Sequence, residues 1–211
     1  MRRVDTVKGP PATVNDELLG PGRTDSGRAR KIYAVSDAFD WPDGPKLNVG
    51  CGSDIREGDD WVNIDKYPVD DRVLLVDIEK GVLPFEDDHF AAIMSIEFFE
   101  HIPHRSAHVD GELFFVVVNE LLRVSRNGAR WLIITPASPY SLSVACHCRL
   151  VTEGTYHPWT TDWNMSSGER VTITNQVGRL KMLDVKNIRH WTINKFFGQT
   201  WTKCISFEVE K

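Results

Sequence analysis

The sequence predicts an α/β fold, and three features of the chain support this prediction. From residue 46 onward, short apolar runs alternate with longer segments, which is the rhythm of strands and crossovers in α/β proteins. The first run, residues 46–49, leads directly into a glycine-containing turn at residues 50–52. The last segment, residues 203–210, alternates apolar and polar residues, as strands with one exposed face do.

Five short and mostly apolar segments are predicted to be parallel strands buried in a sheet. They comprise residues 46–49, 61–65, 73–78, 90–95 and 130–135. The alternating segment at 203–210 is predicted to return as a hairpin-like strand, antiparallel at or near a sheet edge.

Between the fourth and fifth predicted strands, residues 110–124 are predicted to form a helix, with Asp110 placed to cap its first turn. The β-branched and aromatic run at 114–118 favours a strand by propensity alone, so the prediction depends on helical spacing. That spacing is shared by Leu113, Phe114, Val117, Leu121 and Val124.

Composition changes after residue 31. Residues 1–31 hold seven Lys or Arg, four Asp or Glu and three Pro, with almost no apolar pattern. Such a composition predicts an N-terminal arm that has little regular structure or closes over a bound ligand. Residues 32–211 are predicted to form a single domain.

The charge balance of the whole chain disfavours nucleic acid as a partner. The 211 residues include 25 basic and 30 acidic side chains, a net charge of −5, which argues against a surface that neutralises many phosphates. Neither a secretion signal nor an apolar run long enough to span a membrane is apparent in the sequence. Four cysteines at irregular spacing predict a reducing, cytoplasmic location rather than a disulfide scaffold.

The first chemical signal is the turn of Gly50, Cys51 and Gly52 directly after an apolar strand. Glycine lets the backbone turn sharply and approach a ligand without a Cβ in the way. The dinucleotide pattern needs a third glycine where this chain has Ile55, which argues against NAD or FAD.

Two aspartates follow the turn, each at the end of a predicted strand. Asp65 is placed to accept hydrogen bonds from both hydroxyls of a ribose. Asp77 ends the next strand, where its carboxylate or the neighbouring backbone would meet an adenine amino group. Together with the glycine turn, the two carboxylates indicate a nucleoside-containing ligand.

At these residues the sequence resembles the class I S-adenosylmethionine-dependent methyltransferases, in particular their small-molecule, methyltransferase type 11-like branch. Five blocks carry the resemblance over residues 46–136, in the family's order: LNVGCG, WVNID, DIEKGVLPFEDDHFAAIM, FFEHI and ELLRVSRNGARWLIITP. The resemblance implies a Rossmann-like, mostly parallel sheet of seven strands, flanked by helices and with an antiparallel last strand. Residues 32–211 would then be the methyltransferase domain.

The resemblance also implies S-adenosylmethionine as cofactor and S-adenosylhomocysteine as product. Gly50 and Gly52 would line the methionine part, Asp65 would hold the ribose, and Asp77 with Ile78 would flank the adenine. The implied cofactor-binding residues are Gly50, Cys51, Gly52, Asp65, Asp77 and Ile78.

Methyl transfer from a sulfonium requires alignment of the acceptor and, for a hydroxyl acceptor, removal of its proton. His101 is the predicted base, and Glu97, four residues earlier, is predicted to orient it. His157, in the later segment, is a second candidate. The alternative is that Glu100 and His101 only brace the crossover.

The predicted function is methyl transfer to an oxygen or nitrogen of a small molecule, with a sugar or secondary metabolite as the predicted acceptor. Ile96 and Glu97 replace the family's usual serine–histidine pair, and residues 126–129 replace its proline–glycine–glycine turn. An alternative is therefore a non-catalytic binding or scaffold module. A nucleic-acid methyltransferase ranks third, because of the acidic charge and the lack of an asparagine–proline–proline–aromatic block.

Two groups of side chains raise the possibility of a metal site. The first is His101, His104 and His108, where Pro103 interrupts a continuous helix. The second is the tripeptide at 146–148, whose adjacent side chains rarely converge on one ion. Neither has a recognised metal spacing, so no metal is expected.

Aromatic residues are concentrated between and after the last predicted strands. Those at 137–180 would sandwich an acceptor or pack a lid: Tyr140, His147, Tyr156, His157, Trp159 and Trp163. A later set is expected to form core or subunit contacts, compatible with a homodimer: Trp191, Phe196, Phe197 and Trp201.

Overall fold

The computed structural model describes residues 27–160, 178–190 and 200–211, which form an α/β fold around a seven-stranded sheet. The strand order is β3-β2-β1-β4-β5-β7-β6. Strands β1 to β5 pair in parallel, and β7 runs antiparallel to both β5 and β6. The strands are β1 Lys46–Val49, β2 Trp61–Asp65, β3 Val73–Leu75, β4 Phe90–Ile96, β5 Ser125–Pro136, β6 Arg179–His190 and β7 Thr200–Glu210. The helices are α1 Gly27–Asp37, α2 Leu113–Val124 and the short α3 His157–Thr160.

The predicted strands are confirmed, with corrections at their ends. Strand β3 stops at Leu75 instead of residue 78, because the Asp77 carboxylate accepts a hydrogen bond from the Glu79 N–H and opens a 3₁₀ turn at Ile78–Lys80. Strand β5 begins at Ser125, earlier than the predicted residue 130. The antiparallel strand β7 lies one strand in from the edge, which β6 occupies.

Helix α2 confirms the prediction from helical spacing but begins at Leu113, three residues after the predicted cap Asp110. Glu112 precedes the helix, and its side chain makes no capping hydrogen bond. Phe114, Val117 and Leu121 are almost completely buried against the sheet. Burial of such side chains contributes roughly 1.5–3 kcal/mol each, which outweighs the strand propensity of 114–118.

The two faces of the sheet are covered differently. Helix α2 packs on the larger core, together with residues from β1, β4, β5 and β7. On the opposite face, Ile32 of α1 packs against Leu132 and Ile134 of β5 and Cys204 of β7. Residues 27–31 of the predicted arm form the start of α1, and residues 1–26 lie outside the described part of the chain.

The connection from β1 to β2 is described in full and contains no helix. Instead, the loop is fastened to the sheet by two buried amides. Asn48 Nδ2 donates to the Asp54 carbonyl at 2.7 Å and to Asn63 Oδ1 at 3.0 Å. Asn63 in turn accepts from the Arg56 N–H at 2.8 Å and donates to the Arg56 carbonyl at 3.0 Å. The Arg56 guanidinium reaches Asp37 of α1 at 2.8 Å, so the loop and helix α1 cover this face together.

Of the helices in the described residues, none is long and apolar enough to pass through a bilayer.

Candidate functional site

A cavity of about 370 Å³ opens at the carboxyl ends of β1, β2 and β4. Small-molecule sites have volumes of about 300–1,000 Å³. Strands β1 and β4 are neighbours although β2 and β3 follow β1 in sequence, so strand order reverses here. Ligands of open α/β sheets bind at such a reversal. The predicted site residues that line the cavity are Gly50, Asp65, Asp77, Ile78, Glu97 and His101.

The glycine turn lies at the end of β1, and its two glycines have different surroundings. Gly50 has φ +62°, and a Cβ built there would lie 2.1 Å from Phe98 Cδ2, so the Phe98 ring covers this glycine. Gly52 has φ +50°, and its Cβ position faces open space. Both positions adopt a left-handed conformation that costs other residues about 1–2 kcal/mol.

Cys51 contributes its backbone to the turn while its side chain is buried. Its N–H donates to the Ile64 carbonyl at 3.1 Å, which joins the turn to β2. Burial, together with the negative charges of Asp65 and Asp54, raises the pKa of the Cys51 thiol to about 12. The thiol is therefore neutral at physiological pH and is not a nucleophile.

Asp65 is held in place by two backbone donors. The Gly52 N–H donates to Oδ2 and the Tyr67 N–H donates to Oδ1, both at 2.8 Å. Each carboxylate oxygen retains further acceptor capacity. The carboxylate thus lies fixed at the cavity wall, with acceptors available to a pair of ligand hydroxyls.

Asp77 and Ile78 lie beside Asp65 at the end of β3. Asp77 Oδ1 accepts from the Glu79 N–H at 3.1 Å, while Oδ2 lies 3.6 Å from Lys66 Nζ. Lys66 also lies 2.9 Å from Glu79 Oε1, and this hydrogen bond raises the lysine pKa. Sequence reasoning missed Lys66 and Phe98, although each directly follows a residue that it singled out, Asp65 and Glu97.

Glu97 and His101 line the same cavity, but a 3₁₀ turn at Phe99–His101, and no α-helix, connects them. Glu97 has φ +52°, a conformation that non-glycine residues adopt at a cost of about 1–3 kcal/mol and that is concentrated at functional sites. The Glu100 carboxylate also lies near the His101 ring, with Oε1 3.9 Å from Nε2.

His157, the second candidate base, lies at the start of α3 and does not line this cavity. It is exposed. The structure therefore does not bring His157 together with Glu97 and His101.

Two aromatic residues of the segment after β5, Tyr156 and Trp159, belong to the core. Tyr156 and Trp159 are 0% and 1% exposed, and both rings contact Phe114 of α2. Burial, with the negative charge of Glu100 nearby, raises the pKa of Tyr156 well above its usual value. Trp163, Trp191, Phe196 and Phe197 of the predicted aromatic sets lie outside the described residues.

The sequence matches no protein-family model and no curated protein. Solved structures are similar in fold. The N-methyltransferase NodS from Bradyrhizobium japonicum WM9, in complex with S-adenosyl-L-homocysteine, has a TM-score of 0.55 at 12% identity over 91% of this chain and 93% of its own. A geranyl diphosphate C-methyltransferase from Streptomyces coelicolor A3(2) has a TM-score of 0.53 at 13% identity over 85% of this chain and 77% of its own.

A third similar structure is a SAM-dependent methyltransferase from Archaeoglobus fulgidus, with a TM-score of 0.50 at 14% identity over 86% of this chain and 92% of its own. Identities this low establish the fold alone. The similarity extends over most of the chain, and the described sheet has the seven strands and the antiparallel last strand that the sequence motifs predict. The chain has the class I S-adenosylmethionine-dependent methyltransferase fold.

Proposed function

We propose that this protein is an enzyme that transfers a methyl group from S-adenosylmethionine to an oxygen or nitrogen atom of a small molecule. The observation that carries the proposal is the convergence of Gly50, Asp65 and Asp77 on one cavity at the carboxyl ends of the strands. Each residue reaches the cavity from a different strand end, as a site for an extended nucleoside ligand requires.

The residues present fit the chemistry of this cofactor. Asp65 offers carboxylate acceptors to two ribose hydroxyls, and the apolar side chain of Ile78 offers a surface to the adenine. Gly52 is not among the residues that line the cavity, but open space at its Cβ position leaves room beside the turn for the methionine part. When bound, S-adenosylmethionine supplies an electrophilic methyl group on a sulfonium.

The charge of the cavity supports a small-molecule acceptor. The lining includes the carboxylates of Asp65, Asp77, Glu79 and Glu97, against a single lysine, Lys66. An acidic wall attracts a cationic sulfonium and repels phosphates, so nucleic acid is disfavoured as acceptor.

The acceptor is proposed to lie on the β4 side of the cavity. Asp65 and Asp77 come from β2 and β3 on one side of β1, while Glu97, Phe98 and His101 follow β4 on the other. If the two aspartates hold the cofactor, then Glu97, Phe98 and His101 remain to contact and orient the acceptor. Such alignment is the main contribution that a protein makes to this displacement.

The proposal is tested with Asp65→Ala. Loss of hydrogen bonds to a charged group costs about 1.5–3 kcal/mol, so the affinity for S-adenosylhomocysteine should fall by about 10- to 150-fold. Isothermal titration calorimetry measures the change. The matched control is Asp71→Ala, which removes an exposed carboxylate six residues further along the chain and outside the cavity lining, and should leave the affinity unchanged.

Turnover is measured as release of S-adenosylhomocysteine in the presence of small-molecule alcohols, phenols and amines, with oligonucleotides as the competing substrate class. Failure of the wild-type protein to bind S-adenosylhomocysteine would contradict the proposal. Binding without product release from any acceptor class would favour a non-catalytic module. Release only with oligonucleotides would overturn the assignment of a small-molecule acceptor.

A further inference from the structure

A group of potential metal ligands forms beside the cavity from two distant parts of the chain. His101 and Cys146 are 45 residues apart, yet the fold brings His101, Cys146 and His147 together. One ligand atom from each of the three side chains lies within 4.8 Å of the other two. The group combines His101, from the histidines at 101–108, with two residues of the tripeptide at 146–148. Neither stretch of sequence therefore shows a metal spacing by itself.

Three hydrogen bonds, two from backbone N–H groups and one from an arginine side chain, hold the two segments against each other. The Cys148 and Arg149 N–H groups donate to the Glu100 carbonyl at 2.7 and 3.3 Å. Arg149 Nε donates to the Ile102 carbonyl at 2.9 Å. The segment that carries Cys146 is therefore fastened on both sides of His101, so the convergence of the three ligands is built into the fold.

The hydrogen bond of His101 suits a ligand role. Its Nδ1 lies 3.1 Å from the Cys146 carbonyl oxygen. In the tautomer whose Nδ1–H donates to this carbonyl, Nε2 carries the lone pair that can bind a metal. Histidines that bind metals usually donate their other N–H to a carbonyl or carboxylate in this way. The buried Glu100 carboxylate lies 3.9 Å from Nε2 and adds negative charge at the same place.

We propose that His101, Cys146 and His147 bind a divalent transition-metal ion. Imidazole nitrogen and thiolate sulfur are donor types that zinc binds, at about 2.0–2.3 Å from the metal. Ligand atoms that lie within 4.8 Å of one another need to move only slightly to reach tetrahedral positions. Three protein ligands leave a fourth position for water or another small ligand.

The site adjoins the candidate cofactor cavity, because His101 belongs to both. This step rests on the proposed methyl transfer: a hydroxyl acceptor in the fourth position would be coordinated to a Lewis acid, which lowers the pKa of the bound hydroxyl. The proton of the acceptor would pass to solvent, the new O–C bond would form, and the C–S bond would break with release of S-adenosylhomocysteine.

The test measures metal binding directly. Purified full-length protein is treated with chelator, incubated with Zn²⁺, freed of excess metal by gel filtration and analysed for zinc content. Wild type should retain one zinc per chain, while Cys146→Ser and His147→Asn should bind zinc at least tenfold more weakly. The matched control is His108→Asn, which removes an exposed histidine that lies outside the group and should retain one zinc.

Substitution of Co²⁺ for Zn²⁺ provides a second readout. Wild type should show thiolate-to-cobalt charge-transfer absorption, and Cys146→Ser should lose it without unfolding, because Cys146 is exposed. Wild-type protein without stoichiometric zinc, or ligand variants that bind zinc as tightly as wild type, would overturn the proposal. Calorimetry with S-adenosylhomocysteine is a separate measurement, so failure of the metal site and failure of the proposed cofactor site are distinguishable.

Discussion

At the scale of single residues, Gly50 and Gly52 share a backbone conformation but not an environment. Both have positive φ, whereas only at Gly50 would a Cβ collide with the Phe98 ring. Alanine at Gly52 should therefore lower the free energy of unfolding by about 1–2 kcal/mol through backbone strain alone. Alanine at Gly50 should lower the free energy of unfolding through the same backbone strain and by about 1–3 kcal/mol more, because its Cβ collides with the Phe98 ring. Urea denaturation of the two variants measures the difference.

Phe98→Ala in the Gly50→Ala background provides the control. If the ring causes the extra loss, removing it should restore part of the stability, and the double-mutant cycle should show coupling between the two positions. Equal losses for the two alanine variants would show that the Phe98 ring moves aside at no cost.

The sequence predicts which residues lie at strand ends better than it predicts which distant residues are in contact. Asp65 and Asp77 follow buried apolar runs, and parallel strands that end together bring such residues to one cavity. Phe98, which covers Gly50, directly follows Glu97, and no local pattern indicates the positive φ of Glu97. The convergence of Cys146 on His101 depends on the path of the chain after β5, which spacing does not encode.

At the scale of elements, the loop between β1 and β2 replaces a crossover helix and depends on Asn63. This side chain is buried and joins the loop to the sheet through Asn48 and Arg56. Asn63→Ala removes the side-chain partner of the part-buried Arg56 N–H and carbonyl and one of the two acceptors of Asn48 Nδ2, at about 1–3 kcal/mol for each group that water cannot reach. We expect a loss of about 2–4 kcal/mol in the free energy of unfolding, measured by urea denaturation.

The same variant should weaken the binding of S-adenosylhomocysteine, because the loop carries Gly52, whose N–H holds Asp65. Asp59→Ala, an exposed change in the same loop, is the control and should alter stability by less than about 0.5 kcal/mol. If Asn63→Ala lost no more stability than this control, the Asn48 and Asn63 side chains would not be needed to hold the loop against the sheet.

The bounds of a strand are predicted well where its apolar pattern is continuous, and poorly where that pattern is interrupted. Strands β1 and β2 match their predicted bounds, because each is a short, mostly apolar run that ends at a turn signal. No bounds are predicted for β6, which carries charged residues at the sheet edge and shifts register between Met182 and Asp184. A register shift breaks the alternation by which such a strand is identified.

At the scale of the whole molecule, the cavity draws its wall from residues that follow β1, β2, β3 and β4. A ligand that bridges these strand ends binds the folded chain and not the unfolded chain, so it stabilises the whole sheet by mass action. At 100 times its dissociation constant, S-adenosylhomocysteine should add about 2.7 kcal/mol. For a chain of this size, that corresponds to a rise in melting temperature of roughly 5–10 °C.

The Asp65→Ala variant tests whether this rise in melting temperature comes from binding at Asp65. At the same ligand concentration, a tenfold loss of affinity reduces the stabilisation to about 1.4 kcal/mol, so the shift should fall to about half that of wild type. Differential scanning fluorimetry with and without S-adenosylhomocysteine measures both shifts, and adenosine serves as a ligand without the methionine part. A full shift in the variant would place the ligand away from Asp65. A wild-type shift that adenosine reproduces at the same concentration would mean that the amino-acid part of S-adenosylhomocysteine adds nothing to binding.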